Sequence, residues 1–218
     1  GNSAHSNGRY GLRLFHNMIP RKYPCQPIVY DPTNEADPYW QNPPITAIFE
    51  DFVGWKCMRN GAIAKKVGDV RFVNFKTADN MLSGIEFAET DFFGNEMAQV
   101  NGGIMIGKTN NTNWQLDAVS PHGIIGPRTE RFLIQNVRFY NYNWNDAAAL
   151  GSCSHCWHPH ATDSGARTIN TRNLTFDSTV DKKIRYGFPY KAIFRDHDGS
   201  LTGKGPNSYA SFFTFHLN

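Results

Sequence analysis

The sequence predicts an all-β fold, a right-handed parallel β-helix (a solenoid of short strands) interrupted by long loop insertions. Three observations predict it. A glycine followed by a short alternating apolar segment recurs, and the glycines at 84, 103 and 123 stand 19 and 20 residues apart. A second unit, Asp69-Val70-Arg71-Phe72-Val73-Asn74-Phe75, returns as Asn136-Val137-Arg138-Phe139-Tyr140-Asn141-Tyr142 and again as Asn173-Leu174-Thr175-Phe176. The composition also fits: few charges (19%), many aromatics (14%), and 19 Gly with 12 Pro suit short strands and turns better than helices.

Taken in order, the strands begin at Tyr10-Gly11-Leu12-Arg13-Leu14 and resume at Asn60-Gly61-Ala62-Ile63-Ala64. Between them, residues 17–46 carry Pro20, Pro24, Pro27, Pro32, Pro38, Pro43 and Pro44 and read as an excursion. Ser83-Gly84-Ile85-Glu86-Phe87, Gly102-Gly103-Ile104-Met105-Ile106 and His122-Gly123-Ile124-Ile125-Gly126 follow, with residues 107–121 and 143–166 as two further loops. Period-two alternation gives each strand one buried and one exposed face. A repeat near 20 residues suits the coil of a parallel β-helix, whose inward residues stack into one core. Asn and Asp before Val or Leu suit bends, where they tolerate left-handed geometry. A β-sandwich would need hairpin turns at regular spacing, and clear Asn-Gly turns between strands are few. The best helical composition lies around Asn145 to Leu150, where Ala147-Ala148-Ala149 ends at Gly151 and predicts a single turn at most.

The formal charge of +3 comes from scattered basic residues, which does not support a nucleic-acid partner. No window approaches the roughly 20 apolar residues of a membrane span. Neither end reads like a natural terminus, so residues 1–218 are expected to be one segment of a larger protein. Asn110-Asn111-Thr112 and Asn173-Leu174-Thr175 are glycosylation sequons, making Asn110 and Asn173 the candidate acceptors.

The run Ala149-Leu150-Gly151-Ser152-Cys153-Ser154-His155-Cys156-Trp157, then Thr162-Asp163-Ser164-Gly165-Ala166-Arg167-Thr168, resembles the parallel β-helix region of the fibrocystin and fibrocystin-L family. So do Ile184-Arg185-Tyr186, Phe188-Pro189 and Phe194-Arg195-Asp196-His197-Asp198-Gly199-Ser200-Leu201-Thr202-Gly203, and at the start Ala4-His5-Ser6-Asn7-Gly8-Arg9-Tyr10-Gly11-Leu12. A hyaluronan-binding, cell-migration-inducing protein and a transmembrane cell-surface hyaluronidase are relatives of that family. The resemblance implies a large extracellular parent, in many members with a single membrane anchor, at a cell-surface or ciliary membrane. It implies a structural, adhesive or ligand-binding module with protein or glycan partners, joined to the rest of its parent chain or a larger assembly. The alternative it implies is a domain that binds or depolymerises a hyaluronan-like glycosaminoglycan.

Cys153 and Cys156 flank Ser154-His155, with His158 and His160 close behind. Three readings are open: a zinc site, a redox pair, or a disulfide pinning the loop. The extracellular setting favours the disulfide, with Cys25 and Cys57 then paired to each other or one of them to the rest of the parent. No cofactor or resident metal is expected. Asp196-His197-Asp198-Gly199-Ser200 opens like a calcium loop, but its twelfth position is Asn207 and not an acid. A turn in which both carboxylates cap backbone amides is expected instead. For sugar hydrolysis, which needs carboxylates roughly 5–9.5 Å apart, the candidates are Glu86, Glu89 and Asp91, with Asp163 and Arg167 as another group. None falls in a recognisable catalytic spacing, so a non-enzymatic role is expected. Tyr140, Tyr142 and Trp144 alternate and share a face; with Phe72 and Phe139 assigned to the core, those three become candidate ligand contacts.

Overall fold

The computed structural model describes residues 1–15, 17–27, 29, 33, 40–90, 97–111, 122–129, 131–144, 146–152, 168–186 and 192–211. Its strands are β1 (Ser3–His5), β2 (Tyr10–Leu14), β3 (Ala47–Glu50), β4 (Val53–Trp55), β5 (Asn60–Ala64), β6 (Val70–Ala78), β7 (Ser83–Phe87) and β8 (Ala98–Ile106). They continue with β9 (His122–Ile125), β10 (Phe132–Tyr140), β11 (Ala148–Gly151), β12 (Thr168–Arg172), β13 (Thr175–Phe176), β14 (Ile184–Arg185), β15 (Ile193–Asp196) and β16 (Ser208–Ser211). The all-β expectation holds: no α-helix occurs among the described residues.

The chain moves back and forth between two sheets. The ten-stranded sheet runs β1-β4-β6-β8-β10-β12-β15-β16, with β3 beside β6 and β13 beside β10; the six-stranded sheet is built from β2, β5, β7, β9, β11 and β14. Both grow in sequence order, and their strands pair in parallel except β15 with β16, which is antiparallel. Parallel pairing removes the antiparallel sandwich. Phenylalanine rings fill the space between the sheets: Phe87 of β7 lies 4.9 Å from Phe72 of β6 and 4.7 Å from Phe132 of β10. Phe72 and Phe139 are fully buried, as expected.

A column of left-handed residues bends the long sheet. Asp51, Asn74, Gly102, Asn136 and Asn173 have φ of 55, 55, 75, 58 and 48°. The flanking pairs Val73↔Asn101↔Gln135 and Phe75↔Gly103↔Val137 set Asn74, Gly102 and Asn136 side by side. Asn136 donates through Nδ2 to Asn101 Oδ1 (2.7 Å), and Asn173 through Nδ2 to Asn136 Oδ1 (2.8 Å). Asparagine tolerates this conformation better than other side-chain-bearing residues. One such residue resets the alternation, so Phe72 and Phe75, three apart, both face inward and stack at 4.5 Å.

A second bend, at Ser6, Lys56, Asp79 and Asn141 (φ 54, 53, 53 and 60°), follows the register His5↔Trp55↔Ala78↔Ile106↔Tyr140. It overturns the expectation that Tyr142 is a ligand contact. Simple alternation ends at Asn141, and Tyr142 turns inward, buried beside Phe139 at 6.3 Å. Desolvation there pushes its phenol above the usual range.

The repeat units correspond differently from their sequence spacing. Gly11, Gly61, Gly84 and Gly123 form one column of the six-stranded sheet, where an added Cβ on Gly61 or Gly84 would meet the next carbonyl oxygen at 2.7 or 2.8 Å. Gly103 lies in the other sheet, on β8, so the spacing through it is not a structural period. Asn136 is the equivalent of Asn74 and not of Asp69, whereas Phe139↔Phe176 keeps Asn136 and Asn173 equivalent. Within the limit of a single turn at most, no helical turn forms over the described residues of the alanine run. Ala148–Gly151 is β11, buried along its length between β9 and β14. Small side chains fit this crowded position, and packing overrides alanine's helix preference.

The Pro-rich excursion leaves between β2 and β3 and is gathered at its base. Asn42, nearly inaccessible, donates through Nδ2 to the Tyr23 carbonyl (2.8 Å) and accepts from Tyr23 N–H at Oδ1 (2.9 Å). The turn after β15 follows the sequence expectation. Fully buried Asp196 accepts from Gly199 N (3.1 Å), Leu201 N (3.0 Å), Thr202 N (2.8 Å) and Thr202 Oγ1 (2.9 Å). Asp198 accepts from Ser200 N, Ser200 Oγ and Asn173 N, tying this turn to the asparagine column. Burial acts to raise the Asp198 carboxyl, but these bonds outweigh it and hold the group below its usual range.

Candidate functional site

The outer face of the six-stranded sheet gathers most of the chemistry. One outward column is Arg13↔Ile63↔Glu86↔Ile125↔Gly151↔Arg185, and a second is Tyr10↔Asn60↔Ser83↔His122↔Ala148. The core takes the intervening Ala62, Ala64, Ile85, Phe87, Ile124 and Leu150. Between the columns the strict alternation is broken: Gly61 and Gly84 face Thr77 and Gly123 faces Phe139, and the Asn60–Glu86 hydrogen bond joins the two columns on the outer side. With strands about 4.8 Å apart, six of them present a face roughly 24 Å long.

At one end, the Arg13 guanidinium lies 4.2 Å from the Phe15 ring centre and 5.2 Å from that of Tyr10, with Arg59 5.9 Å from Tyr10. Phe15 is 58% exposed. The middle is polar and sealed: Asn60, Ser83 and Glu86 are all buried. Asn60 donates through Nδ2 to Ser83 Oγ (2.7 Å) and Glu86 Oε2 (2.8 Å), while its Oδ1 is buried without a hydrogen-bond partner. His122 follows in the same column, and its Nδ1 is also buried without a partner. At the far end Asp146 pairs with Lys182 and with Arg185 (3.1 Å). The hydrogen bond from Lys182, assisted by the Arg185 charge, lowers the Asp146 carboxyl.

Desolvation, reinforced by the Arg185 charge, lowers His122 to about 4 against the pull of Asp146. The unfolded chain therefore binds this proton more readily than the folded one. Stability from neutral His122 is present above the ordinary imidazole pKa and is lost as pH falls toward 4. About 3 kcal/mol is the expected size of that loss between pH 7 and 4. Urea unfolding across that range should show His122→Gln losing most of this slope; an unchanged slope would refute the assignment.

Among the expected catalytic carboxylates, Glu86 is held by Asn60, whereas Glu89 pairs with Arg128. Different partners hold the two acids, and Asp91, Asp163 and Arg167 lie outside the described residues. So do Cys153 and Cys156. Cys25 and Cys57 are both free thiols, one exposed on the excursion and the other fully buried, so the expected bridge between them is not made. Burial pushes the Cys57 thiol up, against the hydrogen bonds from Asn7. Asn110 is exposed in a turn, whereas Asn173 commits its amide nitrogen to the asparagine column. Tyr140 faces outward and is half-buried; Trp144 packs partly against the core with Lys108 5.1 Å over its ring.

Sequence reading did not single out Asn60, Ser83 or His122 as site residues. Their signal is present: each is the polar residue just before the glycine of its repeat unit. Arg13, Arg59, Asp146, Lys182 and Arg185 carry no such mark, because only strand register and side-chain packing collect them.

Fold and face together define an all-β module of two largely parallel sheets, one of which carries exposed charged and aromatic groups at an end of its outer face. The chain is similar to fibrocystin of the dog, Canis lupus familiaris, at 25% identity over 203 residues, 93% of this chain. It is similar to fibrocystin of the mouse, Mus musculus, at 28% identity over 215 residues, 98% of this chain. The relationship is thus fibrocystin-like along nearly the whole chain. The chain spans about 4% of the length of these relatives. No protein-family model matches it.

Proposed function

We propose that the chain is a right-handed parallel β-helix module of a larger fibrocystin-like protein at the cell surface, serving as a rigid ligand-binding scaffold. The alternation between two parallel sheets supports this fold, and parallel crossovers are right-handed in about 98% of cases. The carrying observation is the exposed end of the six-stranded sheet's outer face, where Arg13, Arg59, Tyr10 and Phe15 gather. Stacked guanidinium and aromatic groups suit protein or glycan partners, since both present flat apolar surfaces bordered by acceptors.

A second reading, glycosaminoglycan binding or cleavage, is favoured by the exposed Arg13 and Arg59 guanidiniums beside Tyr10, which suit an anionic sugar chain. Incubation with size-defined glycosaminoglycans separates the readings. Retention without new fragments supports glycan binding, new fragments support cleavage, and neither leaves a protein partner. Absence of cell-surface binding by the unmodified chain, or binding that Arg13→Glu with Arg59→Glu leaves unchanged, would overturn this reading.

A further inference from the structure

We propose that the outer face of the ten-stranded sheet, between its two bends, binds an anionic polysaccharide. Lys76 and Arg138 pair with its acidic groups, and Trp55 and Tyr140 stack on its sugar rings. This rests on the ligand-binding reading above but uses a different face and different residues.

Two outward columns build the strip. Val53↔Lys76↔Ile104↔Arg138↔Thr175 is one, and Trp55↔Ala78↔Ile106↔Tyr140 is the other. Phe75, Thr77, Met105, Val137 and Phe139 alternate with them and are buried, so the columns face away from the core. Lys76 and Arg138 are exposed, and no ion pair engages either among the described residues. Asp177 borders the strip beyond Tyr140; one of its oxygens accepts from Thr179 N (3.0 Å) and Thr179 Oγ1 (2.8 Å), which keeps it ionised, so it sets one negative charge against the two cations. The face therefore carries positive charge beside half-buried aromatic rings. His5 stacks on Trp55 at 4.5 Å and extends the aromatic end.

Spacing selects the partner. Lys76 and Arg138 are two strands apart, about 10 Å, with Ile104 between them. An extended peptide repeats its same-face side chains every ~7 Å, which misses that interval. A polysaccharide alternating acidic and neutral sugars repeats its charges over a disaccharide, a better match. Both neighbours of β6 and β8 are already paired, so this face offers no strand edge for a peptide backbone to join.

The test measures binding of the chain to immobilised heparin, chondroitin sulfate and hyaluronan, with polyglutamate as competitor, at several salt concentrations. K76E/R138E is expected to weaken binding at least tenfold and flatten its salt dependence. Y140A should weaken binding several-fold while leaving the salt slope intact. Circular dichroism of each variant checks that the fold is kept, which the exposure of both cations favours. Binding lost in R13E/R59E but kept in K76E/R138E would overturn this strip while leaving the scaffold reading in place. Equal competition by polyglutamate would assign the strip to an acidic peptide and overturn the polysaccharide. Failure to bind any of the three glycans would also overturn it.

Discussion

Replacing Asp196 with alanine is expected to destabilise the protein by ~4 kcal/mol, because the carboxylate satisfies a buried turn almost alone. Its two oxygens accept three backbone N–H groups and the Thr202 hydroxyl. Leu201 is buried, so water cannot readily take over the donor it carries. Removing the acceptor leaves these donors unmade, and the turn that starts the antiparallel β15–β16 pair loses its anchor. Asp196→Asn should fall between, since one oxygen remains as an acceptor. Asp198→Ala should cost only ~1 kcal/mol, because its partners lie near the surface. Urea denaturation of the three variants checks the order. A D196A protein within 1 kcal/mol of the parent would show that the turn is held by something else.

The second large effect is expected at Gly103. Its φ is 120°, outside the conformations L side chains adopt, and an added Cβ would run into the carbonyl oxygen of Phe75 on the neighbouring strand. Strain and overlap add, and Gly103→Ala should cost ~3 kcal/mol or more. Gly102 provides the contrast. Its φ of 75° lies near that of Asn74 and Asn136 on either side, and the atom its Cβ would meet first is the side-chain Oδ1 of Asn74. Gly102→Asn should therefore stay within ~1 kcal/mol of the parent. Thermal unfolding of both variants distinguishes a backbone conformation only glycine adopts from one asparagine shares. Equal losses would mean that crowding, not backbone conformation, governs this bend.

Much of the local structure is legible in the residues themselves. Alternating apolar positions mark Tyr10–Leu14, Asn60–Ala64 and Ser83–Phe87 as strands, and the structure has strands there. Asp196 and Asp198 read as a capped turn because short carboxylates before glycine and serine reach backbone amides within a few residues. These features depend on near neighbours in the chain. So does the tendency of asparagine to bend a strand, although the sequence does not say which asparagines take φ near 60°.

Register between distant segments is a different kind of fact. Asn74 lies beside Gly102 and Asn136, and Gly84 beside Gly123, because whole strands align on the rings they bury together. Insertions of unequal length make equal spacing in the chain a poor guide, as Gly103 shows. Tyr142 lies inside because a single left-handed residue at Asn141 reverses the alternation that the sequence implies. The sequence by itself determined the all-β class, the strand segments and the turn chemistry, which arise from interactions within a few residues. Only the tertiary structure decided the facing of Tyr142, the free thiols of Cys25 and Cys57, and the outer face that gathers Arg13, Glu86, His122 and Arg185. The physical reason is that each of these depends on which strand packs beside which, a sum over many distant contacts that no short segment encodes.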